Sequence, residues 1–352
     1  MRRILAATVT GGALLLAGCS SAASTGGTAA GGTPSSQGTA AAAAAAPVTV
    51  RLGFLENVTH ASALVGIKEG FFTKALGSAG TLQTTPFSTG TEEATALLAG
   101  QLDVAYVGPN PAISAFQKSN GTAIKIISGA ADGGASIVVK AGITSASQLK
   151  GQSLATPSLG NTQDVALRSW LQQNGLKTTT TGGGDVYIKP TTPNSAAVLE
   201  FKSGQIAGGS EPAPYDVEMV SDGGHVLLSE PGVTTVMIVT QSFLAAHPAV
   251  VADLLKAQIE ANDFIKSNTA AAEADVNAEL TSLSGKPLKA SVLAASFKEI
   301  TFTDDPDESS FTTDAQQATS LGLLKSASLT GIFDLTPLNT ALAAAGEAQI
   351  SS

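Results

Sequence analysis

The residues best suited to chemistry in this chain are uncharged and lie in loops. Asn57, Thr59 and His60 follow one apolar stretch, and Ser88, Thr89 and Gly90 follow another. Asn110 sits inside Gly-Pro-Asn-Pro after a third. Ser158, Gly160, Asn161 and Thr162 follow a fourth. Each loop leads into a helical pattern, whose first turn carries free N–H groups. Hydroxyls, amides and helix N-termini together suit an oxyanion, which needs several N–H and O–H donors. No lysine or arginine lies in these loops, so an anion there would be held by dipoles and hydroxyls, with a protonated His60 as a further donor. Ser136 and Glu211 complete the candidate set. Glu56, Asp132, Glu211 and Asp216 lie in or near the same loops and argue instead for a cationic or amine-bearing ligand.

Each candidate also has a structural role open to it. Thr89 stands three residues before Glu92, the spacing of a capping box. Asn161 and Thr162 stand at a helix start. His60 could serve only the fold, and Glu211 could be a structural carboxylate held by backbone amides. Asp304–Glu308 lacks the spacing and glycine of a calcium loop and reads as an acidic helix start. No metal or cofactor site is expected. The three histidines are far apart, and H-E-x-x-H, G-x-S-x-G and Walker A patterns do not occur. Ser147–Lys150 matches S-x-x-K without its companion motifs. The chain is not expected to be an enzyme.

The elements that would position these loops read as strand, helix, strand, helix. Val48–Phe54 alternates as a strand does, and Ala61–Phe72 has helical spacing. Thr81–Phe87 and Leu102–Val107 are further strands, with a helix from Thr89 to Gly100 between them. Gly108 permits unusual backbone angles, the prolines beside it make a rigid tip, and a helix is expected over Pro111–Lys118. Ala123–Ser128 is the next strand. The order argues for parallel pairing, with ligands outside the carboxyl ends of the strands.

The second half repeats the plan. Strands over Gln152–Thr156 and Val186–Pro190 alternate with helices over Asn161–Asn174 and Asn194–Ser203. Gly204-Gln205-Ile206 then echoes Gly100-Gln101-Leu102. Ser128–Val139 and Val226–Val239 read as two crossings between similar lobes. The rest is mostly helical: Pro248–Ser267, Ala270–Ser284, Ser291–Phe297, Glu308–Leu324 and Thr336–Ala348. The expected fold class is α/β, two lobes with mixed or parallel sheets flanked by helices and a cleft at the hinge. The first lobe is assigned 48–132 plus 233–352, the second 133–232.

The N-terminus reads as an export signal. Met1-Arg2-Arg3 precedes uncharged Ile4–Ala17, too short to span a bilayer. Leu16-Ala17-Gly18-Cys19 resembles a bacterial lipobox, which implies lipidation of Cys19, the only cysteine. Residues 1–18 are then the signal and 19–47 a flexible Ser/Ala/Thr/Gly linker. The net charge is −9, and loss of Arg2 and Arg3 makes it more negative. An acidic chain with no basic run argues against nucleic acid as a partner.

Several segments resemble the substrate-binding lipoproteins of ABC importers, in the branch for aliphatic sulfonates, taurine and nitrate. They are Leu52–Phe54 with Asn57–Ala61, Gly66 through Gly70–Phe72, Ala99–Pro111, Leu149–Gly151, Ala155–Leu167, Glu211-Pro212, and Phe302-Thr303 before Asp305-Pro306. The resemblance implies a type II periplasmic-binding-protein fold, a small-molecule ligand between lobes, an ABC permease as partner, membrane contact only through the lipid, and a monomer on the extracytoplasmic face of the cell membrane. By family the ligand is a sulfur-containing organic anion. A cationic nutrient such as a thiamine precursor, a non-transport surface lipoprotein and a secreted enzyme on the same fold remain alternatives. One departure stands out: the family's Glu-Pro-Trp is here Glu211-Pro212-Ala213, and the only tryptophan, Trp170, lies mid-helix.

Overall fold

The computed structural model describes residues 47–351. The signal, Cys19 and nearly all of the linker lie outside the described residues. The first lobe begins with β1 (Val48–Leu55), α1 (Ala61–Lys68), α2 (Phe71–Leu76), β2 (Gly80–Phe87), α3 (Gly90–Leu98), β3 (Val104–Val107), α4 (Pro109–Lys118) and β4 (Ile124–Gly133). The chain crosses into a second lobe as β5 (Ala135–Lys140), then β6 (Ser153–Thr156), α5 (Thr162–Gln173), β7 (Tyr187–Pro190), α6 (Asn194–Ser203), β8 (Gly208–Pro212), α7 (Tyr215–Ser221) and β9 (Gly224–Ser229). It returns as β10 (Val233–Thr240). Then follow α8 (Gln241–Ala246), α9 (Pro248–Ser267), α10 (Thr269–Ser284), α11 (Ala290–Lys298), β11 (Ile300–Phe302), α12 (Glu308–Ser320) and α13 (Thr336–Ala345).

The two sheets share one pairing scheme. The first runs β11-β4-β10-β3-β1-β2 and the second β7-β6-β8-β5-β9. In the first, β1 pairs parallel with β2 and β3, while β10 lies antiparallel between β3 and β4. In the second, β6 pairs parallel with β7 and β8, while β5 lies antiparallel between β8 and β9. Each sheet therefore takes its antiparallel inner strand from a crossing segment. Of the mixed or parallel sheets expected, both are mixed, because the crossing strands run antiparallel to their neighbours.

Apolar burial fixes the layers. In β1, Val50, Leu52 and Phe54 point into a core with Phe72, Tyr106 and Leu254. A second cluster with Leu102, Val107 and Phe311 covers the opposite face. The second lobe has its own pair, one around Leu154 and Leu171 and one around Phe201 and Met219. Each fully buried large side chain contributes about 1.5–3 kcal/mol. The helix expected over 61–72 is split, because Gly70 takes φ +73 and starts α2. Among the described residues no helix is long and apolar enough to cross a membrane.

The crossings are built on glycines. Gly133 and Gly134 have φ of +73 and +77, and Gly232 has φ +93. A Cβ at Gly134 would lie 2.4 Å from Ile300 Cγ1. At Gly204, the residue after α6, φ is also positive but nothing lies within 4 Å. Gly134→Ala should therefore cost about 2–4 kcal/mol, left-handed strain plus overpacking, and Gly204→Ala about 1–2 kcal/mol. Equal losses on urea unfolding of the two variants would contradict this account of the crossing.

Candidate functional site

Three loops of the first lobe and three of the second converge beside the crossings. They enclose a cavity of about 20 Å³, room for one or two water molecules. Asn57, Thr59, His60, Ser88, Thr89, Gly90, Asn161 and Thr162 line it, as do Gly108, Pro111, Pro157, Gln163, Asn194, Pro212 and Thr234. The lobes touch around it. Val58 N donates to Ala213 O at 2.9 Å, and Tyr215 Oη donates to Glu56 O at 3.0 Å. Thr91 and Ser158 hydroxyls meet at 3.0 Å.

Local structure decides what each side chain can offer. Thr89 caps α3, accepting from Glu92 N at 3.3 Å and keeping its O–H to donate. Asn161 caps α5 by accepting from Asp164 N at 2.9 Å, and its amide donates to Gln163 Oε1. The structural reading of both residues therefore holds, and both still face the cavity. Thr59 donates to Asn57 Oδ1 at 2.8 Å, which leaves the Asn57 amide N–H groups unused. Behind α5, Asp164 accepts from Gly160 N, Thr156 Oγ1 and Arg168 Nε at 2.8–3.0 Å. That buried pair fixes the loop over residues 157–160 and keeps the Arg168 charge away from the cavity.

His60 is not the cationic donor expected. Burial pushes its pKa down to about 3, so the ring is neutral. Leu55 N donates to Nδ1 at 3.1 Å, which assigns the proton to Nε2. The ring lines the cavity with that donor unpartnered within the protein.

The remaining candidates lie elsewhere. Gly-Pro-Asn-Pro is no turn: Pro109 opens α4, and Gly108 has an ordinary φ of −69. What Gly108 supplies is space, since a Cβ there would lie 2.6 Å from Thr162 Oγ1. The Asn110 side chain points away, its amide donating to Asp314 O at 3.4 Å. Ser158 and Gly160 flank the cavity without lining it. Ser136 and Glu211 pair across β5 and β8, deep in the second lobe. No amides hold Glu211; both its carboxyl oxygens are buried without partners. Burial, then Asp216 and Glu230, push its pKa well above the ordinary carboxylate range. Glu56, Asp132 and Asp216 do not line the cavity either.

The resulting wall carries no lysine, arginine, aspartate or glutamate. Donors dominate it: the starts of α3 and α5, His60 Nε2 and the Asn57 amide. Asn194 adds an amide whose oxygen is buried without a partner. Sequence reading missed Asn194, Pro212 and Thr234. The first of these had a signal, since it opens a helix after a strand as Asn161 does. Among the described residues no group of histidine, cysteine, aspartate and glutamate is placed to hold a metal ion.

A family model described as the NMT1-like family matches residues 43–280. No curated protein matches by sequence. The fold is similar to that of the alkanesulfonate-binding protein SsuA from Xanthomonas axonopodis pv. citri, solved with MOPS bound: TM-score 0.68, 17% identity, covering 83% of this chain and 99% of that one. The periplasmic aliphatic sulphonate binding protein SsuA from Escherichia coli matches with TM-score 0.65 and 18% identity over 82% of this chain and 91% of its own. The periplasmic nitrate-binding protein NrtA from Synechocystis PCC 6803 matches with TM-score 0.67 and 16% identity over 85% and 89%.

The neutral His60 has a measurable consequence. The unfolded chain protonates this residue below about 6.5, the folded chain only near 3. Its contribution to stability is therefore lost as pH falls through that window. Buried carboxyls act in the opposite sense, so the comparison is between variants. His60→Asn should lose less stability than the native chain between pH 6.5 and 4 on urea unfolding. Parallel pH curves would show that His60 is protonated in the folded state.

Proposed function

We propose that this chain, which belongs to the NMT1-like family, is the extracytoplasmic solute-binding component of an ABC importer and captures a small organic anion of the aliphatic sulfonate or taurine kind between its lobes. On this reading Cys19 carries a lipid that tethers the receptor to the outer face of the cell membrane. The chain works as a monomer and passes its solute to a membrane permease. The lobes are 48–132 with 233–352, and 133–232.

The observation that carries the ligand class is the wall itself. Its charges are absent, and its donors come from both lobes. Helix N-termini favour negative charge, and the carboxylates that would favour an amine lie behind the wall. A sulfonate oxygen trio would be shared by the start of α3 with Thr89, the start of α5 with Thr162, and His60 Nε2. The unpartnered Asn194 oxygen and the Thr59 lone pairs are acceptors. They favour a ligand that also carries a donor, as taurine does with its amine. The sulfonate- and nitrate-binding neighbours agree with the oxyanion half of this reading.

The small cavity implies that solute enters only when the lobes part. Contacts to both lobes then favour the closed form, because a ligand shifts an equilibrium by its differential affinity. A ligand at about 100 times its Kd should add about 2.7 kcal/mol to stability. The experiment is a thermal-shift and calorimetric titration of the full chain in detergent with taurine, ethanesulfonate, nitrate and choline. We expect taurine and ethanesulfonate to raise Tm, and Thr89→Ala and His60→Phe each to weaken them at least about tenfold, the worth of one charge-assisted hydrogen bond. Sulfonate binding left intact in both variants would overturn the assigned site. No stabilisation by any anion would overturn the ligand class.

A further inference from the structure

A larger groove lies beside the cleft, between α5 of one lobe and α12 of the other. Its volume is about 480 Å³, within the ~300–1,000 Å³ range of small-molecule sites. Thr162, Ala166, Ser169, Trp170 and Gln173 recur at helical spacing along its α5 wall. The returning crossing, residues 230–234, forms its floor.

The charge of this groove is one-sided. Glu230, Asp307 and Asp314 line it, with no lysine, arginine or histidine. Glu230 is only 7% exposed. One of its oxygens accepts from Ser210 Oγ, and no lysine, arginine or histidine of the groove wall is there to pair with the carboxyl. The indole of Trp170, the only tryptophan in the chain, is the one aromatic surface in the wall. An aromatic face beside carboxyls that have no cationic partner, in a partly desolvated recess, is the arrangement that holds organic cations.

We propose that this groove is a second binding site, distinct from the cleft, for a small organic cation such as a quaternary ammonium or a protonated amine. The cation sits against Trp170, and its positive charge draws the Glu230 and Asp314 carboxyls beside it into their ionised form. Burial and neighbouring carboxylates raise the Glu230 and Asp314 carboxyls to about 8 and about 7, as expected for acids that lack a counter-charge. Because α5 and α12 belong to different lobes, an occupant touches both and favours their closure. The site would couple an organic cation to the capture of solute in the cleft.

Trp170 is its own reporter. The full chain in detergent is titrated with choline and, in parallel, with 3,3-dimethyl-1-butanol, its uncharged isostere, while tryptophan emission is followed. Choline should change the emission saturably, and the isostere should need at least a tenfold higher concentration. Asp314→Asn and Asp307→Asn should each weaken choline at least threefold and leave stabilisation by taurine unchanged. Asp307→Asn retains the side-chain oxygen that caps α12, so its fold is kept. Equal response to choline and its isostere, an emission unaffected by choline, or native choline affinity in both variants would overturn the proposal. Loss of the taurine response alone would count against the cleft reading and not this one.

Discussion

Gly133 donates its N–H to the carbonyl of Gly232 at 2.9 Å, and that contact joins the two passages of the chain between lobes. Thr234 Oγ1 adds a bond to the Gly133 carbonyl. Everything that faces the cleft is positioned from this joint. One crossing continues directly as β5, the antiparallel inner strand of the second sheet. The other continues as β10, the antiparallel inner strand of the first. The first sheet is completed only after the chain has built the second, whose own inner strand is the outgoing crossing. This reciprocity turns the carboxyl ends of the parallel strands of both sheets toward one another, which is where the ligand-competent loops of open α/β sheets lie.

The joint also explains why charge is kept out of the cleft walls yet collects nearby. The last residues of β4 and the 230–232 segment carry Asp132 and Glu230, and Asp304–Asp307 packs against the same bend. A Cβ at Gly129 would lie 2.2 Å from Asp305 O, so backbone meets backbone with no side chain between. Asp304 is held there by Gln258 and Asn262 at 3.2 and 2.8 Å, and burial lifts it to about 6. Asp304 is thus bonded inward, and none of these carboxyls lines the cleft cavity. The surfaces that do face the cleft are therefore left to amides, hydroxyls and helix ends.

Much of this was legible because it is local. Thr89-x-x-Glu92 marked a helix start, and Asn194–Ser203 followed from its spacing and the glycine after it. The loops were placed on one rim because strand–helix alternation fixes where strand ends point. What escaped depends on neighbours distant in sequence. The alternation in β10 identifies a strand but not that it lies between β3 and β4. Three-residue β11 is too short for any periodicity. Asn110 was read as a binding residue from its type, yet its side chain turns to Asp314 O, some two hundred positions on. Gly108 was read for its backbone freedom, whereas its value is the space it leaves for Thr162.

The absence of a cation in the cleft wall has a physical logic on the proposed reading. A buried arginine facing the cavity would keep a heavy desolvation cost whenever no anion was present. Arg168, paired with Asp164 behind α5, shows how this chain avoids that cost while still using the charge to fix a loop. Helix N-termini carry their partial charges with no such penalty, because their N–H groups remain solvated until the lobes meet. Donors split between α3 and α5 are correctly arranged only in the closed form, so the oxyanion itself becomes the contact that favours closure. A cleft built this way holds its solute firmly when shut and loses half of its donors on opening. That is the behaviour required of a receptor that must give its solute up.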